Sequence, residues 1–176
     1  MDFWKWFFLG TGGKPGFFKF FDRWLFLHII VGFLLAWFVP SSLSQAANTV
    51  LLPLVAIFIG LSFAWGGNAQ ALLQTEEIDK ITDYHPGGFE EYVYTYQTAI
   101  LVILITVSAW GLAGLDLFDK IWPTSSKPIT YFIMAFLLFF LTSLTLRECW
   151  HVVLGAQWML LARRKIRRQK RTIKRK

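Results

Sequence analysis

The side chains best suited to chemistry lie in one short acidic stretch. Between positions 76 and 91 the chain carries Glu76, Glu77, Asp79, Asp83, Glu90 and Glu91 against a single Lys80, with His85 close by. Asp79 and Asp83 are four residues apart, so a helix would set both carboxylates on one face. With His85 they have the types required of a divalent-cation site or a general base. No second histidine stands at a ligand spacing and no HExxH-type pattern occurs. The expectation is therefore a solvated acidic loop, with no metal, no cofactor, no catalytic residues and no enzymatic role. Elsewhere, His28 and His151 read as polar groups near the boundaries of apolar segments. Cys149, the only cysteine, reads as a structural thiol at a helix interface in preference to a redox or acylated one.

The elements that would position these groups follow from composition. The 176 residues are 55% hydrophobic, 18% aromatic and 16% charged, against roughly 25% charged in a soluble domain. So much apolar surface cannot be covered by so few polar groups in water; lipid is the solvent that fits. Residues 24–75 contain no Asp, Glu, Lys or Arg. That is too long for one crossing of a hydrocarbon layer about 30 Å thick, which takes about 20 residues, and Pro40-Ser41-Ser42 is the natural break. Ser44-Gln45-Ala46 has the small-x-small form of a signal cleavage site, but a second apolar segment follows at once, as expected of a retained anchor. Residues 92–115 and 128–146 give two further charge-free stretches.

The fold class expected is all-α: an integral membrane bundle of four transmembrane helices, at about 23–39, 46–66, 93–115 and 129–147. A helical extension would run to about 162, completing a single membrane domain over 1–162, with 163–176 as a basic cytosolic tail. Sixteen of the eighteen Lys and Arg residues fall in the N-terminal segment, the central loop or the C-terminal region. Only Lys120 and Lys127 lie in the remaining connection. The positive-inside rule then puts both termini in the cytosol and the protein in the cell inner (plasma) membrane.

Within the spans the signals are of packing. Ala56, Gly60, Ala64 and Asn68 share a face of the second helix and would serve as a helix-packing or pore face. Thr95, Gln97, Thr98, Thr106 and Ser108 on the third helix, and Thr142, Ser143 and Thr145 on the fourth, read as packing hydroxyls before a hydrated path. No charge sits mid-span, which disfavours ion-coupled transport and voltage sensing. Trp4, Trp6, Phe7, Phe8, Phe17, Phe18, Phe20 and Phe21 suit either a foot in the headgroup layer or packing against neighbouring helices.

The C-terminal segment is the least ordinary. Beyond Arg147 and Glu148, residues 149–162 carry no charge, and their apolar side chains must meet lipid, a second subunit or a partner. Gly155 offers a bend. Residues 163–176 hold ten basic residues and no acid. Arg147, Trp150, Trp158, Arg163, Arg164, Lys165, Arg167 and Arg168 are thus the expected partner or lipid contacts. Anionic lipid attracts each basic residue by about 1 kcal/mol; nucleic acid is disfavoured because no aromatic is interleaved to stack on bases.

With its spans at 24–75, 92–115 and 128–146 and its tail at 163–176, the chain resembles the small four-helix membrane subunits of prokaryotic antiphage defence, such as the membrane component of the Kiwa system. The resemblance is one of architecture. It implies a homo-oligomer that senses envelope disturbance and engages a cytosolic protein partner through the helix extension and tail. Bestrophin-like channels share the topology, and Phe58-Ile59-Gly60 with Asn68 is similar to part of their second helix, although their central cytosolic region is far larger. The alternative expectation is accordingly an oligomeric ion channel or membrane-permeabilising effector.

Overall fold

A computed structural model describes residues 2–10, 15–39, 42–73, 88–118 and 128–173, with backbone alone at 58, 61–62, 65, 68–73, 88–92, 128 and 167–173. The described residues are helical throughout, without strands. In order they form α1 (Phe3–Leu9), a 3-10 turn (Gly16–Phe20), α2 (Arg23–Phe38), α3 (Leu43–Ala46), a π-turn (Ala47–Leu51), α4 (Leu52–Leu73), α5 (Gly88–Gly114) and α6 (Pro128–Ile173).

Local chemistry fixes the boundaries. Asp22 caps α2, its Oδ1 accepting from the Leu25 amide at 3.0 Å, and Ser42 caps α3 through the Gln45 amide at 3.2 Å. Pro128 opens α6, where a missing N–H costs nothing. The π-turn has its own cause. Pro53 lacks an amide hydrogen and would crowd the carbonyl of Thr49, and the wider turn at Ala47–Leu51 relieves that conflict without ending the helix. At the far end of α5, Asp116 takes the left-handed conformation (φ 56°), one that Asp tolerates better than most side chains.

Helix α6 is the centre of the fold, and α2, α4 and α5 each pack against it. Two ends can be told apart. At one, Ser44 Oγ and Asn48 Nδ2 donate to the Gly114 carbonyl at 3.3 and 3.2 Å, covering the C-terminus of α5. The main core lies toward this end, where Leu43, Ala47 and Leu51 meet Trp110, Ala113, Leu138 and Phe139. At the other end the start of α2, Thr95 and Thr98 of α5 and Arg147 of α6 come together. Close approach depends on glycine at two points. A Cβ on Gly32 would lie 3.0 Å from the backbone of Phe140, and one on Gly66 would enter the Tyr96 ring.

Polar groups between α5 and α6 satisfy one another. Trp110, fully buried, donates from Nε1 to Thr142 Oγ1 at 2.7 Å, and that hydroxyl donates to the Leu138 carbonyl. Thr106 and Thr145 lie 2.7 Å apart, each also within bonding distance of the carbonyl four residues back. These are the packing hydroxyls expected from the sequence.

The outer surface is apolar. Phe26, Ile30, Phe33, Trp37, Ile57, Phe63, Leu104, Ile105, Ile133 and Leu137 are all exposed, an arrangement suited to lipid. Two stretches, Val93–Gly114 and Ile129–Ile166, are long and apolar enough to cross a membrane. Arg23–Phe38 with Leu43–Ile57, which meet at 118°, would add a third if counted as one broken span. The described residues are thus those of a membrane protein and are helical, without strands.

One expectation requires correction. Gly155 does not interrupt the chain: α6 is a single helix from Pro128 to Ile173. One glycine costs a helix only about 1 kcal/mol and leaves every backbone hydrogen bond in place. The same helix runs on through most of 163–176, with Ile166 buried.

Candidate functional site

The candidate site forms where the N-terminal segment folds over α5 and α6. Trp6 of α1 is 4% exposed; its ring lies 5.4 Å from that of Tyr94. The 3-10 turn passes directly over Trp6 because Gly16 has no side chain; a Cβ there would sit 2.5 Å from the nearest ring carbon. Lys19 then projects back, donating to Thr95 Oγ1 at 3.0 Å with its ammonium 5.2 Å from the centre of the Trp6 ring. The foot is therefore partly an intramolecular lid and partly an exposed aromatic surface, since Trp4, Phe8, Phe18 and Phe21 face outward.

Arg147 ties the segment down. Its Nη1 donates to Asp22 Oδ1 at 3.3 Å and its Nη2 to the Lys19 carbonyl at 3.1 Å. Phe20 packs over the guanidinium with 6.0 Å between centres. The Arg147 side chain is only 8% exposed and that of Glu148 only 5%. Arg147 is therefore turned into the chain, where it holds the chain's own N-terminal segment. His151 adds its Nδ1 at 3.6 Å from Glu148 Oε2. One layer deeper, His28 Nδ1 lies 2.7 Å from Ser143 Oγ, joining α2 to α6.

Between these groups is a cavity of about 100 Å³, lined by Trp6, Lys19, Asp22, Thr98, Arg147 and Glu148 among others. Its charged lining is balanced, two cations against two carboxylates, with His151 at the edge. Beside it, Arg147 Nε and Glu148 Oε1 form an ion pair at 3.3 Å that lacks hydrogen-bond geometry, and both atoms are fully buried.

The other expected site residues are dispersed. Ala56, Gly60 and Ala64 all face outward, and a Cβ on Gly60 would meet nothing within 4 Å. The backbone of Asn68 lies in α4, but its side chain is outside the described residues. Trp150 and Trp158 are 60% and 58% exposed, and Arg164 and Lys165 follow them into solvent, whereas Arg163 is half-buried. Arg167 and Arg168 are described as helical backbone only. Asp79, Asp83 and His85 lie outside the described residues. Cys149 is buried. Among the described residues no group of three His, Cys, Asp or Glu side chains is disposed to hold a metal.

Sequence reasoning did not single out Glu148, Lys19, Asp22 or Trp6 as parts of one site. The available signal was the adjacent Arg147-Glu148 pair at the end of a charge-free span. These features define a membrane protein, helical over its described residues, with a charge-balanced polar pocket at one end. No protein family matches the chain, and neither a curated protein nor a solved structure matches it.

Proposed function

We propose that this chain is the membrane anchor or sensor subunit of a larger assembly and holds a cytosolic protein on the far part of α6. The observation that carries the reading is the length and surface of that helix. From Pro128 to Arg147 it rises about 28 Å, enough for the hydrocarbon layer, and from Arg147 to Ile173 about 39 Å more. On this second part Trp150, Leu154, Trp158 and Leu161 are exposed at spacings of four, four and three residues, which is one helical face. Val152, Val153, Ala156 and Met159 are buried on other sides. An apolar stripe followed by Arg164 and Lys165 suits a partner with an apolar groove and an acidic rim.

In this reading the chain crosses the inner membrane four times with both termini in the cytosol. The meeting of the α2 start with Arg147, and of Ser44 with Gly114 at the opposite end, supports alternating passes. A role in antiviral defence rests on the architectural resemblance alone. The test is co-purification from native membranes. Trp158→Ala combined with Arg164→Glu and Lys165→Glu should release the cytosolic partner while membrane insertion is retained; undiminished co-purification would sink the proposal.

A second reading, an oligomeric channel or permeabilising effector, is favoured by one observation: the small-residue face of α4 at Ala56, Gly60 and Ala64 is open and could pack closely on another copy. It predicts ion flux in liposomes that Gly60→Leu reduces.

A further inference from the structure

We propose that the N-terminal segment is an interfacial foot, with Trp4, Phe8, Phe18 and Phe21 seated in the acyl–headgroup boundary of the leaflet from which the α6 extension emerges. The segment has two faces, and the chain itself accounts for one of them. Trp6 is buried against Tyr94, Lys19 reaches Thr95, and Arg147 holds Asp22 and the Lys19 carbonyl. These contacts fix the segment beside α5 and α6. The other face is aromatic and exposed. On α1, Trp4 and Phe8 are one turn apart and stacked, with 6.2 Å between ring centres. Phe18 and Phe21, also 6.2 Å apart, form a second cluster around the 3-10 turn.

Depth decides what covers this face. The sixteen residues of α2 rise about 24 Å, less than a hydrocarbon layer of about 30 Å. Phe18 and Phe21, which come directly before α2, therefore sit at the edge of that layer and not beyond the headgroups. Arg147 gives the same level independently: it pairs with Asp22 and lies about 28 Å along α6 from Pro128. The face is also continuous with the lipid-facing surface, since Phe21 and Trp24 lead into Phe26, Ile30 and Phe33, all exposed along α2. Tryptophan at this depth, with exposed Lys5 and Arg23 able to reach phosphate, is the composition of an interfacial anchor. The inference shares the membrane reading of the spans but not the partner on the α6 extension, so release of that partner would leave it untouched.

The test is spin-label accessibility in the full-length protein, reconstituted in nanodiscs of phosphatidylcholine and phosphatidylglycerol. The native thiol, Cys149, is buried, and the unsubstituted protein serves as the labelling blank. Labels on Phe8→Cys, Phe18→Cys and Phe21→Cys should collide more often with oxygen, which concentrates in lipid, than with a water-soluble nickel chelate. A label on Lys165→Cys, exposed on the α6 extension, should show the reverse, so the ratio of the two collision rates should be severalfold higher in the foot. If the ratios match, the aromatic face is turned to water and the proposal fails. Dipolar broadening that disappears on dilution with unlabelled protein would show that a second copy covers the face, and would overturn the proposal as well. One arm needs no substitution. In the wild type, phosphatidylcholine with a diazirine near its carbonyls should form adducts on Phe3–Leu9 and Gly16–Phe20; adducts confined to the long helices would equally overturn it.

Discussion

Replacing Gly16 by alanine tests whether the N-terminal segment is a docked lid. The new methyl would lie 2.7 Å or less from ring carbons of Trp6, a rigid side chain that is 4% exposed and backed by Tyr94. Forcing an extra methyl into such a contact costs about 1–3 kcal/mol. The opposing term is the free energy of docking. Release of Trp6 into water would lose up to about 4–6 kcal/mol, taking 150–250 Å² of ring surface at 25 cal/mol/Å². A released Trp would instead settle in the headgroup layer, where indole is favoured, so most of that loss is recovered. Strain and docking are then of similar size. Gly16→Ala should raise the undocked population about 5- to 150-fold, the ratio equivalent to 1–3 kcal/mol. Amide hydrogen exchange in nanodiscs reads this directly, because α1 and the 3-10 turn make few contacts beyond the docked face. Protection over Phe3–Leu9 and Gly16–Phe20 should fall by that factor while α5 and α6 are unchanged. Gly60→Ala, where nothing lies within 4 Å of the new methyl, is the matched control and should exchange like the parent. Unaltered exchange over α1 in Gly16→Ala would refute the docked-lid reasoning.

Three further outcomes are expected. Arg147→Gln should destabilise the protein by about 3–5 kcal/mol in reversible unfolding from bicelles, because it strands buried Glu148; Asp22→Asn, at a half-exposed carboxylate that remains a helix cap, should cost less than half as much. Trp110→Phe removes the donor to Thr142 and should cost about 0.6–1.7 kcal/mol for the hydrogen bond, with a further loss for the smaller ring, measured by steric trapping. Gly32→Ala places a methyl 3.0 Å from the Phe140 backbone, which cannot rotate aside, so it should cost about 1–3 kcal/mol and loosen α2 from α6, visible as faster exchange in α2 alone.

Much of the helical plan could be read from charge-free runs and breakers. Arg23–Phe38, the break near Pro40, and the starts of α5 and α6 lie within a few residues of where composition puts them. The face on which a residue sits was also legible, since Ala56, Gly60 and Ala64 do share one. Which way that face points was not, because spacing fixes neighbours on a helix but not the helix's rotation in the fold. The pocket was hidden for a related reason. Glu148 beside Arg147 looks like a boundary charge pair until Asp22 and Lys19, more than 120 residues earlier in the chain, fold over it. Gly155 misled because a lone glycine weakens a helix without removing any of its hydrogen bonds. Pro53 carried a readable signal for a local distortion, and the chain resolved it with a π-turn instead of a break.

The continuity of α6 has a mechanical consequence. A single helix that stays packed against the rest of the chain as far as Ile166, and runs about 39 Å beyond Arg147 in all, carries any tilt of the bundle along its whole length. Transmembrane helices span tilts from 0 to about 40° across structures, and tilting is one way a span longer than the hydrocarbon layer is accommodated. A change of about 10° would sweep the tip of α6 through about 7 Å, more than one helical turn. If the partner proposed above is held near Trp158, that tilt would displace it with the helix.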